Sequence, residues 1–408
     1  MFLKVEEVMP SLSERSEQKR YLKMKKRKKI IRMTVLISAP IIIILMIAFY
    51  FLFQANRTYS GYEVVSKAEK IEGNDAKYIA YGDDLLKYSK DGACAMNMDG
   101  EILWNGSYDY EKPSAVTCGK YVAVADIGAK QISVFDGTEK VKVIQTEAAI
   151  EQISIAKQGV VAAILEENDK AKICIYNPYD AKDMLKVCIA TSTDSDGYPV
   201  SISLSKDGQK LVTSYINISN GVISSSLNFY NFDNVGKNRV DRIVGSRPLG
   251  TEIVADIQFL NDSEVVAFTK NGFYVYKMKE TPVDVAKIKE KSNIKSVSYN
   301  DEYIALVTEN DKNPTSSYIA KAYTTSGKKV LEKEIGYSYN QFLMGNKELI
   351  FYSSTEGHIL RFRGSEKLDC EFDSVVSYLF PIQSSSKYCM IDGDYIKQIS
   401  LTGRKKEK

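Results

Sequence analysis

A polar turn followed by a hydrophobic strand recurs eight times along this chain of 408 residues. It reads GDDLLKYSK from Gly82, GKYVAVAD from Gly119, KQGVVAAILEE from Lys157 and DGQKLVTSYI from Asp207. It returns as NDSEVVAFTK from Asn261, NDEYIALVTE from Asn300, GNKELIFYSS from Gly345 and SSKYCMIDG from Ser385. A second strand follows each copy and often carries aromatics, as in KQISVFDG from Lys130 and GFYVYKM from Gly272. A third strand comes after it, and a fourth precedes each turn. The units begin near residues 77, 114, 150, 198, 253, 294, 338 and 375, which spaces them about 36 to 55 residues apart. Four strands at that period are the pattern of a propeller blade. A lone four-stranded sheet buries only part of its apolar surface, whereas blades packed around an axis bury both faces and leave short edges.

The sequence therefore predicts an all-β fold, a β-propeller of eight blades preceded by one transmembrane α-helix. Seven blades plus a hairpin is the alternative count, and a pair of β-sandwiches is the alternative architecture. The last unit has three clear strands, and YEVVSK (Tyr62–Lys67) is the natural donor of its fourth. That strand would close the ring with both ends of the chain in one blade. Asp91-Gly92, Asp99-Gly100, Asp136-Gly137, Asp207-Gly208 and Asn271-Gly272 suit tight hairpin connections, because Gly, Asn and Asp tolerate positive φ. The segments Thr191–Tyr198, Ile216–Ser226, Phe232–Glu252 and Asn310–Ser317 read as polar loop insertions, the first places to seek a binding surface.

From Met33 to Phe53 the chain is uncharged, and thirteen of these 21 residues are Leu, Ile, Val or Phe. As a helix the run reaches about 32 Å, enough for a hydrocarbon core of about 30 Å. Its large apolar residues favour insertion by roughly 4–8 kcal/mol. It exceeds a signal-peptide core in length and lacks a small-x-small exit, so it reads as an uncleaved anchor. Residues 1–32 hold eleven Lys/Arg against four Glu, a net +7, while the whole chain is +3. That asymmetry places residues 1–32 as a basic cytoplasmic tail and the C-terminal bulk outside the cell membrane. The expected layout is a transmembrane helix at 33–53, a linker at 54–61, an extracytoplasmic propeller at 62–403 and a basic tail at 404–408. Tyr50, Tyr59 and Tyr62 suit the outer membrane interface. The linker is short, which would restrict the propeller's orientation.

Residues that could carry chemistry are few, and no catalytic, cofactor-binding or metal-binding residue is assigned. The single histidine, His358, reads as a turn residue at a strand start rather than a triad base. Cys94, Cys118, Cys174, Cys188, Cys370 and Cys389 read as small buried hydrophobes. Cross-strand bridges of Cys174 to Cys188 and of Cys370 to Cys389 fit the strand order, because disulfides are permitted outside the membrane. Asp194-Ser195-Asp196-Gly197 resembles the start of a calcium loop, but position 205 is Ser where such a loop needs Glu. No phosphate-binding, dinucleotide or nucleophile-elbow motif occurs. The only basic cluster adjoins the membrane segment, so a nucleic-acid partner is not expected.

The basic tail, single helix and repeat style together resemble a family of membrane-anchored propeller proteins of Gram-positive bacteria, classed as a domain of unknown function, within the quinoprotein- and WD40-like superfamily. The resemblance implies a surface location and a binding role and supplies no active-site residues. Trp104 is the only tryptophan, whereas quinoprotein blades carry a recurrent one. The expected function is a non-catalytic binding or scaffold module for a protein or cell-envelope partner. It would be held in the bilayer by its N-terminal helix and use no cofactor. The alternative is an enzyme acting on envelope glycan through paired carboxylates on the axial face. A sensor role has little support, because the inner part is only about 32 residues.

Overall fold

The computed structural model describes residues 12–70, 75–168, 170–180, 182, 184–191, 197–311, 313, 316–382 and 386–403. The chain divides into two units, Met1–Arg57 and Thr58–Lys408. The first carries, among its described residues, one α-helix, Leu12–Asn56. Its portion Lys19–Tyr50 is long and apolar enough to cross a membrane and is not buried by the rest of the chain. Pro40 lies inside the helix without ending it. Gln54, Ala55 and Asn56 include no Gly or Pro, so the helix continues through them. The first strand starts at Gly61, so the link is residues 57–60 rather than 54–61.

The second unit holds eight four-stranded antiparallel sheets. Blades 1 to 7 occupy residues 77–107, 113–145, 149–190, 198–250, 254–289, 294–335 and 341–371. Each runs in chain order from an inner strand A to an outer strand D. Blade 8 takes strands A to C from residues 378–402 and strand D from Gly61–Glu69. That first strand pairs antiparallel with the last one, from Gly61 opposite Thr402 to Glu69 opposite Tyr395. The expected eight units and the expected closing strand are both present.

The cores explain why the ring must close. Eight apolar clusters alternate with the eight blades, one at each interface. Leu86, Trp104 and Phe135 pack between blades 1 and 2, and the series continues to Tyr62, Ile350 and Met390 between blades 7 and 8. Tyr78, Met96, Cys389 and Ile391 then join blade 8 to blade 1. The middle strands are buried on both faces, so they read as continuous apolar runs such as YVAVAD (Tyr121–Asp126). Outer strands face solvent on one side and alternate, as in Leu185–Ala190.

The recurrent turn has a mechanical role. Asn261 Oδ1 accepts hydrogen bonds from the Ser263 and Glu264 N–H groups at 3.0 Å. Asn300 Oδ1 does the same for Glu302 and Tyr303 at 2.9 Å. Their amide groups reach the next blade, Asn261 Nδ2 to Asp301 O at 3.2 Å and Asn300 Nδ2 to Gly345 O at 3.1 Å. One side chain thus fixes its own hairpin and clasps its neighbour. Inner strands are stitched similarly. Ser154, Ser203 and Ser298 accept the backbone N–H groups of Leu204, Phe259 and Met344 at 2.8–3.0 Å.

Three expectations are corrected here. Tyr62 does not stand at a membrane interface: it is buried between blades 7 and 8. Ile216–Ser226 is not a loop, because strands Lys210–Ser219 and Val222–Asn231 continue through it around Asn220-Gly221. Both turn residues have positive φ, 50° and 76°, the two-residue hairpin geometry that Asn-Gly favours. Phe232–Glu252 contains a short helix, Asn234–Lys237, and strand D of blade 4, Ile243–Gly250. Pro248 is tolerated there because an outermost strand is paired on one side only.

Candidate functional site

Because successive strands are antiparallel, the A–B and C–D connections emerge on one face of the propeller and the B–C and D–A connections on the other. The chain enters at Gly61, opposite Thr402, which lies on the A–B/C–D face. Among the described residues, the A–B and C–D connections carry thirteen Asp/Glu and thirteen Lys/Arg. The B–C and D–A connections carry eleven Asp/Glu against six Lys/Arg, a net −5. Asp91, Asp109, Glu111, Glu147 and Asp311 are exposed there. The charge of the propeller is therefore polarised, with the acidic face remote from the chain's point of entry.

Of the four predicted insertions, the hairpin around Asn220-Gly221 belongs to the acidic face, as do the described residues Thr191 and Gly197 of the first and Asn310, Asp311, Asn313 and Ser316 of the last. The hairpin runs past its sheet. Its partner strands pair only to Ile216 and Ser225, and beyond them Ile218 and Ile223 face each other across the ribbon. They are 73% and 50% exposed, which makes an apolar finger on an acidic surface. The Asn220-Gly221 dipeptide between alternating apolar residues was the available sequence signal. Asp194, Ser195 and Asp196 of the calcium-like motif lie outside the described residues.

The same face carries a carboxylate pair at the edge of blade 3. Loss of solvation, and then the charge and hydrogen bond of Glu166, push the Glu151 carboxyl above its usual range. Glu166 also accepts the Tyr198 hydroxyl at 2.9 Å. Near the axis, burial raises the Asp256 carboxyl, opposed by bonds from Gln258, the Ile257 N–H and Ser201. Among the described residues no group of three His, Cys, Asp or Glu side chains is disposed to hold a metal ion.

A cleft of about 390 Å³ opens on the rim between blades 4 and 5. Leu249 and Pro248 form one wall, and Tyr274, Tyr276 and Ala286 the other. Its charges are already partnered. Arg247 Nε lies 2.6 Å from Asp284 Oδ1 and Nη2 donates to Pro282 O at 2.9 Å. Lys287 Nζ sits 4.5 Å above the Tyr274 ring and 3.7 Å from Glu252. Burial and the hydrogen bond to Glu252 push the Tyr274 hydroxyl up to about 12.

His358 lies within the strand Glu356–Arg361 rather than in a turn, and is 7% exposed. Its ring stacks flat on Tyr337 at 3.8 Å, and Nδ1 is 3.3 Å from Asp369. No nucleophile is placed beside it in the contacts described. Cys174 and Cys188 face each other on neighbouring strands and form a disulfide. Cys188 is exposed, not buried as expected. Cys370 and Cys389 are both free, which corrects the second proposed bridge. Cys370 belongs to blade 7 and faces blade 8, whereas Cys389 lies on the side of blade 8 that faces blade 1, so the sheet of blade 8 separates them. Burial raises both thiols to about 12, as befits core residues. Trp104 stacks on Phe135 at 4.9 Å and serves one blade interface only.

Solved structures share the fold at low identity. BamB from Moraxella catarrhalis superposes with a TM-score of 0.50 at 12% identity, over 83% of this chain and 100% of that one. A eukaryotic initiation factor gives 0.54 at 11% identity, over 85% and 89%. Sqt1 from Chaetomium thermophilum, bound to the N-terminus of a ribosomal protein, gives 0.53 at 10% identity, over 84% and 100%. At such identities the likeness shows the propeller fold alone. None of the curated proteins matches the chain in sequence. One family model spans residues 55–401, the whole ring with its closing strand, and the chain accordingly belongs to the family of unknown function DUF5711.

Proposed function

We propose that this protein is a single-pass, membrane-anchored scaffold whose extracytoplasmic propeller holds a protein or cell-envelope partner on its B–C/D–A face. The observation that carries this reading is the polarity of the propeller. One face is neutral and receives the chain, and the other is acidic and bears the exposed finger. A docking segment complementary to that face is cationic, with an apolar contact for Ile218 and Ile223. The Cys174–Cys188 disulfide suits an oxidising compartment. The Lys/Arg excess on the N-terminal side of the apolar helix supports a cytoplasmic N-terminus.

The test is in-cell photo-crosslinking from matched positions on the two faces. Probes at Asp109, Glu147 and Ile218 should yield the same discrete adduct, while probes at Asp99, Glu139 and Lys328 should not. Adducts distributed equally over both faces, or none from either, would contradict the proposal. Protease added to intact cells should remove the propeller and spare residues 1–32, and the reverse pattern would overturn the topology.

A further inference from the structure

We propose that the helical segment Lys19–Arg32 binds anionic lipid headgroups of the adjoining leaflet, so that the N-terminal helix selects its lipids as well as anchoring the chain. This rests on the reading that the apolar run beyond it spans a membrane. Nine of its fourteen residues are Lys or Arg, none is acidic, and all are exposed. Leu12–Asn56 is one unbroken helix, so these cations ride on the same rigid element as the apolar run. At about 1.5 Å per residue, Arg32, Lys29, Lys28 and Arg27 fall within roughly 9 Å of Met33, about one Debye length at physiological salt.

The arrangement around the helix indicates the kind of partner. At about 100° per residue, Lys26, Arg27 and Lys28 point to three different sides, and Lys29 and Arg32 fill in between. A helix lying in a nucleic-acid groove turns one side to the base edges and leaves the opposite side to solvent. A helix crossing a bilayer is ringed by headgroups, and cations all round it meet anions all round it. Lys and Arg stems can also lie along the apolar boundary while their charges reach the phosphates. Each cation near an anionic surface strengthens association by about fivefold.

The full chain is reconstituted in vesicles of mixed phosphatidylcholine and phosphatidylglycerol, with either lipid spin-labelled in turn. The fraction of each immobilised at the protein is then measured. Phosphatidylglycerol should be enriched severalfold, and the enrichment should vanish near 1 M salt. It should also vanish when Lys25, Lys26, Arg27, Lys28, Lys29 and Arg32 are replaced by Gln, and persist when the four lysines become Arg. Equal immobilisation of the two lipids, with the protein resistant to carbonate extraction, overturns the proposal while the spanning helix stands. Extraction by carbonate overturns both. Displacement of the labelled lipid by a duplex oligonucleotide would assign the segment to nucleic acid instead.

Discussion

The Tyr62 hydroxyl accepts a 3.1 Å hydrogen bond from the backbone N–H of Asp373, a residue 311 positions further along the chain. Its ring packs edge-on against Phe372 at 6.2 Å. The first strand is therefore locked to blade 7 as well as to the last strand. Tyr62→Phe should lower stability by about 1 kcal/mol, the worth of one hydrogen bond. Tyr62→Ala should lower it by about 3–5 kcal/mol, because it also empties a buried site. Urea denaturation of the propeller measures both, and equal stabilities for the two variants would contradict this role.

A second lock joins the same two blades. Glu348 accepts the Lys367 ammonium at 2.7 Å and the Tyr388 hydroxyl at 2.5 Å, and it is 8% exposed. Lys367→Met leaves a buried carboxylate without its cation and should cost about 3–5 kcal/mol. Adding Glu348→Gln to that variant should recover much of the loss. If the double variant is no more stable than the single one, the triad does not act as a unit.

Reduction separates covalent from packing contributions. The Cys174–Cys188 bridge closes a loop of 14 residues, which corresponds to about 3 kcal/mol in the chain-entropy account. Mass spectrometry without reductant should find that one bridge and free thiols at Cys94, Cys118, Cys370 and Cys389. The pair Cys174→Ala and Cys188→Ala should unfold at lower urea and stay folded, because the blade 2–3 core around Ile132 and Leu165 is intact.

The pH response has a definite sign. Burial opposes ionisation of Asp392, but Lys397, Ser374 and the Tyr395 and Asp394 N–H groups outweigh it and hold the carboxyl at about 2, below its usual 3.8. A depressed pKa gives stability that is fully present above about pH 4 and lost as pH falls through about 2. The difference corresponds to roughly 2 kcal/mol. Asp392→Asn should remove that part of the acid dependence between pH 4 and 2. An unchanged acid profile would show that the group is not linked to folding.

Much of this architecture was legible because it is local and repeated. Asn261 and Asn300 mark their turns in the sequence by the same chemistry that clasps the blades. Tyr62–Lys67 could be assigned as the closing strand because blade 8 otherwise has three strands. What escaped depends on the third dimension. Pro248 and the glycines of Ile243–Gly250 look like loop, and only the outermost position makes them a strand. The aromatic ring of Tyr62 fits a membrane interface or a core equally well until blade 7 is placed beside it. The charge polarity of the two faces cannot be read along the chain, because acidic connections from eight blades converge only when the ring closes.

The most direct test of the closed ring compares a chain beginning at Thr58 with one beginning at Lys77. Loss of Gly61–Glu69 strips the outer strand and Tyr62 from blade 8, at the far end of the sequence. The shorter chain should melt lower by roughly 5 °C or more, and a peptide of residues 58–70 added in trans should restore the difference. Equal melting temperatures, or a deficit the peptide does not repair, would contradict closure by the strand that follows the anchor.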